Sequence, residues 1–219
     1  IVMFLRDPVQ RVISQYEHCR RVDGIKQSLQ EFCSMPGHMN LQSRNIGRIP
    51  VSLIGFIGLQ EMYKESLQVM QDYYRFDMQE FFSNINKGKE SSKYTLDNET
   101  LKLILDNNKE DALLYARVQN LFKQRYAIFS EGKPYTHGAI TALTEKRVAG
   151  WAINNASNDP VQIKIMLNDQ PVAMVLANHY RHDLREWNPG RQGYIGFEYD
   201  FDHFLRKDDR IDCIVANTG

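Results

Sequence analysis

The spacing of apolar residues changes near Ser130, and this change divides the chain into two kinds of structure. Before it, apolar side chains recur at helical intervals: Val9, Val12, Ile13 and Tyr16, then Met62, Leu67, Val69, Met70 and Tyr73, then Leu113, Leu114, Val118, Leu121 and Phe122. After it, short runs alternate: Val148–Ile153, Val161–Leu167, Val172–Leu176, Tyr194–Tyr199 and Ile211–Val215. Turn residues separate them, among them Asn168-Asp169 and Lys207-Asp208-Asp209. Such a series predicts a β-sandwich. Glu131-Gly132-Lys133-Pro134 reads as a linker. The chain of 219 residues is long enough for two domains. Their expected bounds are 1–135 and 136–219.

In the first half, Ile1–Leu5 and Val51–Leu59 are apolar runs, as expected of strands covered on both faces. Helices are predicted from Pro8 to about Arg21, over Ser28 to Cys33, from Glu61 to about Tyr74, over Leu101 to Leu105, and from Asp111 to about Phe129. Residues 35–50 and 84–94 read as loops. The fold class expected is therefore α/β with a parallel sheet, followed by a small all-β domain. Ile1–Leu5 looks like a strand entered midway, so natural sequence is expected before Ile1.

Charge and cysteine content narrow the partners. A formal net charge of +0 disfavours nucleic acid, whose binders are usually basic. The 42% hydrophobic and 25% charged fractions are those of an ordinary globular protein. Cys19, Cys33 and Cys213 have no close spacing and form neither a disulfide framework nor a zinc pattern. No metal is implied, and a reducing compartment follows. No apolar run is long enough for a membrane span, and no signal peptide is visible.

The segment Arg6-Asp7-Pro8-Val9-Gln10-Arg11-Val12-Ile13-Ser14-Gln15-Tyr16 carries the most chemistry. A strand ends, an arginine follows, and a helix opens with Asp at its cap and Pro at its first position. The helix start offers unpaired N–H groups and a partial positive charge, and arginine can grip a phosphate bidentately. Ser14 shares a helical face with Arg11 and His18. A phosphomonoester site fits this pattern, and so does a solvated polar stripe on an amphipathic helix.

Leu5-Arg6-Asp7-Pro8 with Arg11, Ser14 and Tyr16 resembles the 3′-phosphate motif of the carbohydrate sulfotransferases, closest to the 2-O-sulfotransferase group. That family uses 3′-phosphoadenosine 5′-phosphosulfate (PAPS). The resemblance implies that Arg6 and Ser14 hold the donor's 3′-phosphate, with Arg11 beside them. Ile54 to Glu61 is similar to the family's "VGVTE" strand and turn, although Leu59-Gln60 departs from it. Lys87, Gly88 and Lys89 fall where the family has a basic glycine loop over the nucleotide; a solvated loop is the other reading. His38, Asn40, Gln42 and Arg44 resemble the family's "N-x-Q" stretch near the acceptor cleft. The resemblance covers about residues 1–130. The family's P-loop-like segment and its catalytic histidine have no counterpart here and are expected before Ile1, or on a second chain that completes the fold. No catalytic residue is assigned.

Gly150-Trp151-Ala152, Arg181-x-Asp183-Leu184 and Gly196-Phe197 are similar to a β-sandwich module appended to bacterial glycosyltransferases and sulfotransferases. The likeness implies a bacterial, cytoplasmic protein. Trp151 and Phe197 read as core. Trp187 and Tyr180 are candidates for stacking on sugar rings, and Arg181 with Asp183 reads as a structural ion pair. The expected function is transfer of a sulfuryl group from PAPS to a hydroxyl of a carbohydrate acceptor. Two rivals remain: a P-loop kinase-like phosphotransferase, and a non-enzymatic glycan- or protein-binding module on a degenerate core.

Overall fold

A computed structural model describes residues 2–49, 51, 54–74, 96–133, 136–154, 157–187 and 190–216. Among the described residues the fold is mixed helix and sheet, with one small parallel sheet and two antiparallel sheets. It divides into two compact units, Ile1–Gln124 and Arg125–Gly219.

In the first unit β1 (Val2–Leu5) pairs in parallel with β2 (Phe56–Leu59), in register from Val2↔Phe56 to Leu5↔Leu59. Helix α1 (Pro8–Val22) follows β1 almost at once. Asp7 caps it by accepting from Gln10 N at 3.0 Å, Pro8 stands at its start, and Arg20 and Arg21 complement the dipole of its last turn. Val9, Val12 and Ile13 are buried with Cys33 and Ile104. Each such side chain stabilises the fold by about 1.5–3 kcal/mol. Cys33 comes from α2 (Leu29–Cys33), whose start is closed by a capping box between Ser28 and Glu31. Ile104 comes from α5 (Asn98–Asn107).

Two sequence expectations change. The stretch predicted as a loop over 35–50 contains a 3-10 turn at Pro36–His38 and a helix, α3 (Leu41–Ile46). Asn40 precedes α3 at φ 51° without capping it through its own side chain. Asp111, distant in sequence, supplies the cap. The strand predicted over 51–59 begins only at Phe56. It pairs along the four residues that β1 offers. Helix α4 (Tyr63–Tyr74) then packs on β2. Ser66 is buried and its Oγ accepts from Leu59 N at 2.9 Å. Helix α6 (Lys109–Ser130) buries Val118 and Phe122.

The second unit has a four-stranded sheet in the order β3-β4-β8-β7 and a three-stranded sheet in the order β6-β5-β9. The strands are β3 (Thr136–Leu143), β4 (Arg147–Asn154), β5 (Val161–Leu167), β6 (Gln170–Ala177), β7 (His179–Tyr180), β8 (Tyr194–Asp200) and β9 (Ile211–Val215). Inward side chains of both sheets, among them Val148, Ile163, Ile165, Ala177 and Phe197, form one core, as in a sandwich. Trp151 is also buried, at 2% exposure, but alternation along β4 sets it on the face opposite Val148 and Ala152, whereas Phe197 lies in this core.

Glycine appears at position 150 for a packing reason. A Cβ there would lie 2.6 Å from Phe197 Cζ and closer still to the Ala139 carbonyl. Arg191 braces one end of the unit. Its guanidinium donates to the carbonyls of Asn158, Ala177 and Tyr194 and to Asn178 Oδ1, all within 2.8 Å. Arg181 pairs with both carboxylate oxygens of Asp183 and also donates to Gly150 O at 3.0 Å. That pairing holds the Asp183 carboxyl below its ordinary pKa.

Candidate functional site

The parallel register brings the ends of β1 and β2 to one edge, and Arg6-Asp7 and Gln60-Glu61 leave the sheet side by side. In α/β proteins ligands collect beyond the carboxyl ends of parallel strands. A cleft of about 660 Å³ opens there, lined by Arg6, Asp7, Gln10, Gln60, Glu61, Tyr115 and Gln119.

Three contacts set its geometry. Gln42 clasps the main chain of Arg6, its Oε1 accepting from Arg6 N at 2.8 Å and its Nε2 donating to Arg6 O at 2.9 Å. Glu61 Oε1 accepts from Asp7 N at 2.9 Å, which ties the two strand exits together. Glu61 Oε2 accepts from the Tyr115 hydroxyl at 2.8 Å. Burial and the Glu61 carboxylate push the Tyr115 phenol well above its ordinary pKa, so it stays a neutral donor at every physiological pH.

The Arg6 backbone is thus fixed while its side chain remains uncommitted. No hydrogen bond or ion pair joins its guanidinium to another described residue. Arg6 is also the one cation among the described lining residues. The lining carboxylates are engaged, Asp7 with the start of α1 and Glu61 with Asp7 N and Tyr115.

Ser14 is half-buried on α1. It lies one turn beyond Gln10 on the same face, since positions four apart share a face, and it is not part of the cleft lining. Arg11 belongs to a different cluster. Its guanidinium donates to Gln15 Oε1, to His38 O and to Asn108 Oδ1 at 2.8–2.9 Å, and lies 3.7 Å from the fully buried Asp111. Burial lowers the Arg11 pKa and Asp111 opposes the shift.

His38, Asn40, Gln42 and Arg44 come together on the segment that includes α3, braced against the start of α6. The His38 ring stacks on Phe32, with centroids 3.8 Å apart and planes at 16°. Burial and then the Arg11 charge push its pKa below the ordinary value. Asn40 Oδ1 accepts from Glu110 N and Asp111 N at the start of α6. Arg44 is exposed and donates to Pro36 O at 3.1 Å. Of these four, Gln42 alone touches the cleft, through the Arg6 backbone. Lys87, Gly88 and Lys89 lie outside the described residues.

In the second unit Tyr180 is exposed and its ring lies 5.2 Å from that of Tyr194, also exposed. The Trp187 side chain lies outside what is described. Sequence reasoning missed the Glu61–Asp7–Tyr115 bridge and the Gln42 clasp. Both join residues far apart in the chain, and nothing local marks them. It also missed Arg125, a buried helix residue whose guanidinium lies 3.2 Å from Nδ1 of buried His137.

Among the described residues no group of three or more His, Cys, Asp or Glu side chains could hold a metal ion, and no helix is long and apolar enough to cross a membrane. No protein-family model matches the chain, and no solved structure matches it.

Proposed function

We propose that the cleft at Arg6 receives the 3′-phosphate of 3′-phosphoadenosine 5′-phosphosulfate, and that the protein transfers the sulfuryl group to a hydroxyl of a carbohydrate. The observation that carries this reading is the Arg6 guanidinium. It is free of described protein partners, its backbone is clamped by Gln42, and it stands between the exit of a parallel strand and the capped start of α1. The resemblance of Leu5-Arg6-Asp7-Pro8 and Ser14 to a sulfotransferase motif supplies the identity of the anion.

In this reading Arg6 grips the phosphate through two N–H donors, and Ser14 adds a hydroxyl from the next turn of α1. Arg11 is spent on the Asn108 and Asp111 cluster and positions α1 rather than the donor. In the reaction the acceptor oxygen bonds to sulfur as the bond from sulfur to the phosphate oxygen breaks, 3′-phosphoadenosine 5′-phosphate leaves, and the acceptor proton passes to a general base. Calorimetric titration with 3′-phosphoadenosine 5′-phosphate tests the donor site. Saturable binding that Arg6→Ala weakens about tenfold or more, and Ser14→Ala by less, supports it. No binding up to about 1 mM contradicts it.

A further inference from the structure

The second unit carries an aromatic pair that stands outside its core. Tyr180 on β7 and Tyr194 on β8 are 45% and 49% exposed. Their rings lie side by side, with centroids 5.2 Å apart and planes tilted by 49°. Neither hydroxyl bonds to another described residue.

The backbone is irregular on both sides of the pair. The ladder between β7 and β8 slips by one residue, from His179↔Gly196 to Tyr180↔Tyr194. A regular ladder would set Tyr180 opposite Ile195, which is fully buried. The slip brings the two tyrosines level instead, and irregularities of this kind re-aim side chains beside functional sites. The turn before β8 holds Arg191 and Gln192 at φ 54° and 55°, and Gly193 at 90°. Left-handed backbone is strained for the first two, and the four hydrogen bonds of the Arg191 guanidinium hold the turn in place. A Cβ at Gly193 would lie 3.0 Å from Tyr180 Cε2, so the glycine lets that ring settle against the turn. Slip, strained turn and glycine converge on seating two rings that add nothing to the core.

Shape and chemistry select the ligand. Tyrosine supplies rigid, amphipathic contact area at low entropic cost, and the electron-rich face of its ring attracts C–H groups. Polar groups accompany the rings: the two hydroxyls, the exposed carboxamide of Gln192, and His179, 3.9 Å from Glu198. Between them they donate and accept. A pyranose, with an apolar C–H face and a rim of hydroxyls, matches both features. Single-stranded nucleic acid stacks on aromatic rings too, but beside cations that hold its backbone. Here Arg181 is spent on Asp183 and Gly150 O, and Arg191 on its four acceptors. A proline-rich peptide docks into aromatic-lined grooves, and rings 5.2 Å apart leave no slot between them. We infer that Tyr180 and Tyr194 form a platform on which a hexopyranose residue of a glycan stacks. The site is independent of Arg6 and of the donor reading.

Amide-resolved NMR titration of the whole chain tests the inference, with cellotriose, chitotriose, mannotriose and a hyaluronan tetrasaccharide as probes. At least one is expected to give saturable shifts centred on Tyr180, Gly193 and Tyr194. Tyr180→Ala and Tyr194→Ala should each weaken that binding about fivefold or more. Tyr180→Phe, which keeps the ring, should weaken it less. Both positions are exposed, so the melting temperatures of these variants should stay close to that of the parent. Absence of saturable shifts from every probe up to about 10 mM overturns the inference. So does tighter binding of a deoxythymidine octamer or of a decaproline peptide at the same residues, or a double variant, Tyr180→Ala with Tyr194→Ala, that binds as well as the parent.

Discussion

Asn40 and Asp111 each cap the helix that the other one opens. Asn40, the residue before α3, accepts through Oδ1 from Glu110 N at 3.1 Å and Asp111 N at 3.3 Å in the first turn of α6. The Asp111 carboxylate accepts from Gln42 N at 3.2 Å and from Ser43 N and Oγ at 2.8 Å in the first turn of α3. Helix starts expose N–H groups that need acceptors, and here two helices far apart in sequence exchange them. The exchange also orients Gln42, the residue that clasps Arg6.

The reciprocal caps predict coupled losses. Asn40→Ala removes a cap worth about 1 kcal/mol and places a Cβ-bearing residue without Asn's tolerance at positive φ. Asp111→Ala is expected to cost more, about 3 kcal/mol, because it also strips the partly buried Arg11 of its counter-charge. The double variant should lose less than the sum. Urea unfolding followed through amide signals of α3 and α6 measures this, and strictly additive losses contradict the reciprocal arrangement.

His38 gives the stability of this region an acid-side dependence. Its folded pKa lies below the ordinary value of 6.5 because the ring is buried and faces Arg11. Above that value both folded and unfolded states are neutral at His38, and stability is at its full level. As pH falls below it, the unfolded chain takes the proton first, so stability declines until the folded ring protonates too. His38→Phe keeps a ring against Phe32 and removes the titration. Unfolding midpoints between about pH 7 and about pH 5 should therefore fall more steeply in the parent than in the variant. Equal slopes contradict the assignment.

The sequence made some of this legible and hid the rest for a physical reason. Asp7-Pro8 marked the start of α1 because the signal is local, with cap, proline and apolar spacing inside one segment. The runs Val161–Leu167 and Ile211–Val215 coincide with β5 and β9 because alternation reports a half-buried strand directly. Helix α3 escaped because it spans six residues and its cap comes from Asp111, across a separation of 69 residues. The place of Arg6 at a strand exit could be read, but the clasp by Gln42 and the bridge from Glu61 to Tyr115 could not. Those contacts exist only after the segments meet.

Arg191 should resist conservative replacement. Its guanidinium reaches four acceptors on three segments at once, around Asn158, Ala177-Asn178 and Tyr194. Lysine carries the charge but cannot span them from a single ammonium. Arg191→Lys is expected to lose about 2 kcal/mol, close to the loss for Arg191→Ala. A thermal melt in which the lysine variant matches the parent argues against the clamp.

Gly150 should resist even a single added methyl. The Phe197 ring and the Ala139 carbonyl occupy the space that a Cβ would need. The Ala139↔Trp151 and Gly150↔Phe197 pairings leave little freedom to shift. Gly150→Ala is expected to cost about 1–3 kcal/mol through overpacking. Coupling it with Phe197→Leu should recover part of the loss. Additive destabilisation in the double variant places the strain elsewhere.

One guanidinium and one phosphate decide whether the cleft is a donor site, and a single comparison isolates that pair. The affinities of 3′-phosphoadenosine 5′-phosphate and of adenosine 5′-monophosphate, which lacks the 3′-phosphate, are compared on the parent chain and on Arg6→Ala. The 3′-phosphate is expected to tighten binding about tenfold or more on the parent, as a charge-assisted pair should, and this advantage should vanish in the variant. Equal affinities for the two nucleotides on the parent, or an advantage that survives the loss of Arg6, contradicts the donor site.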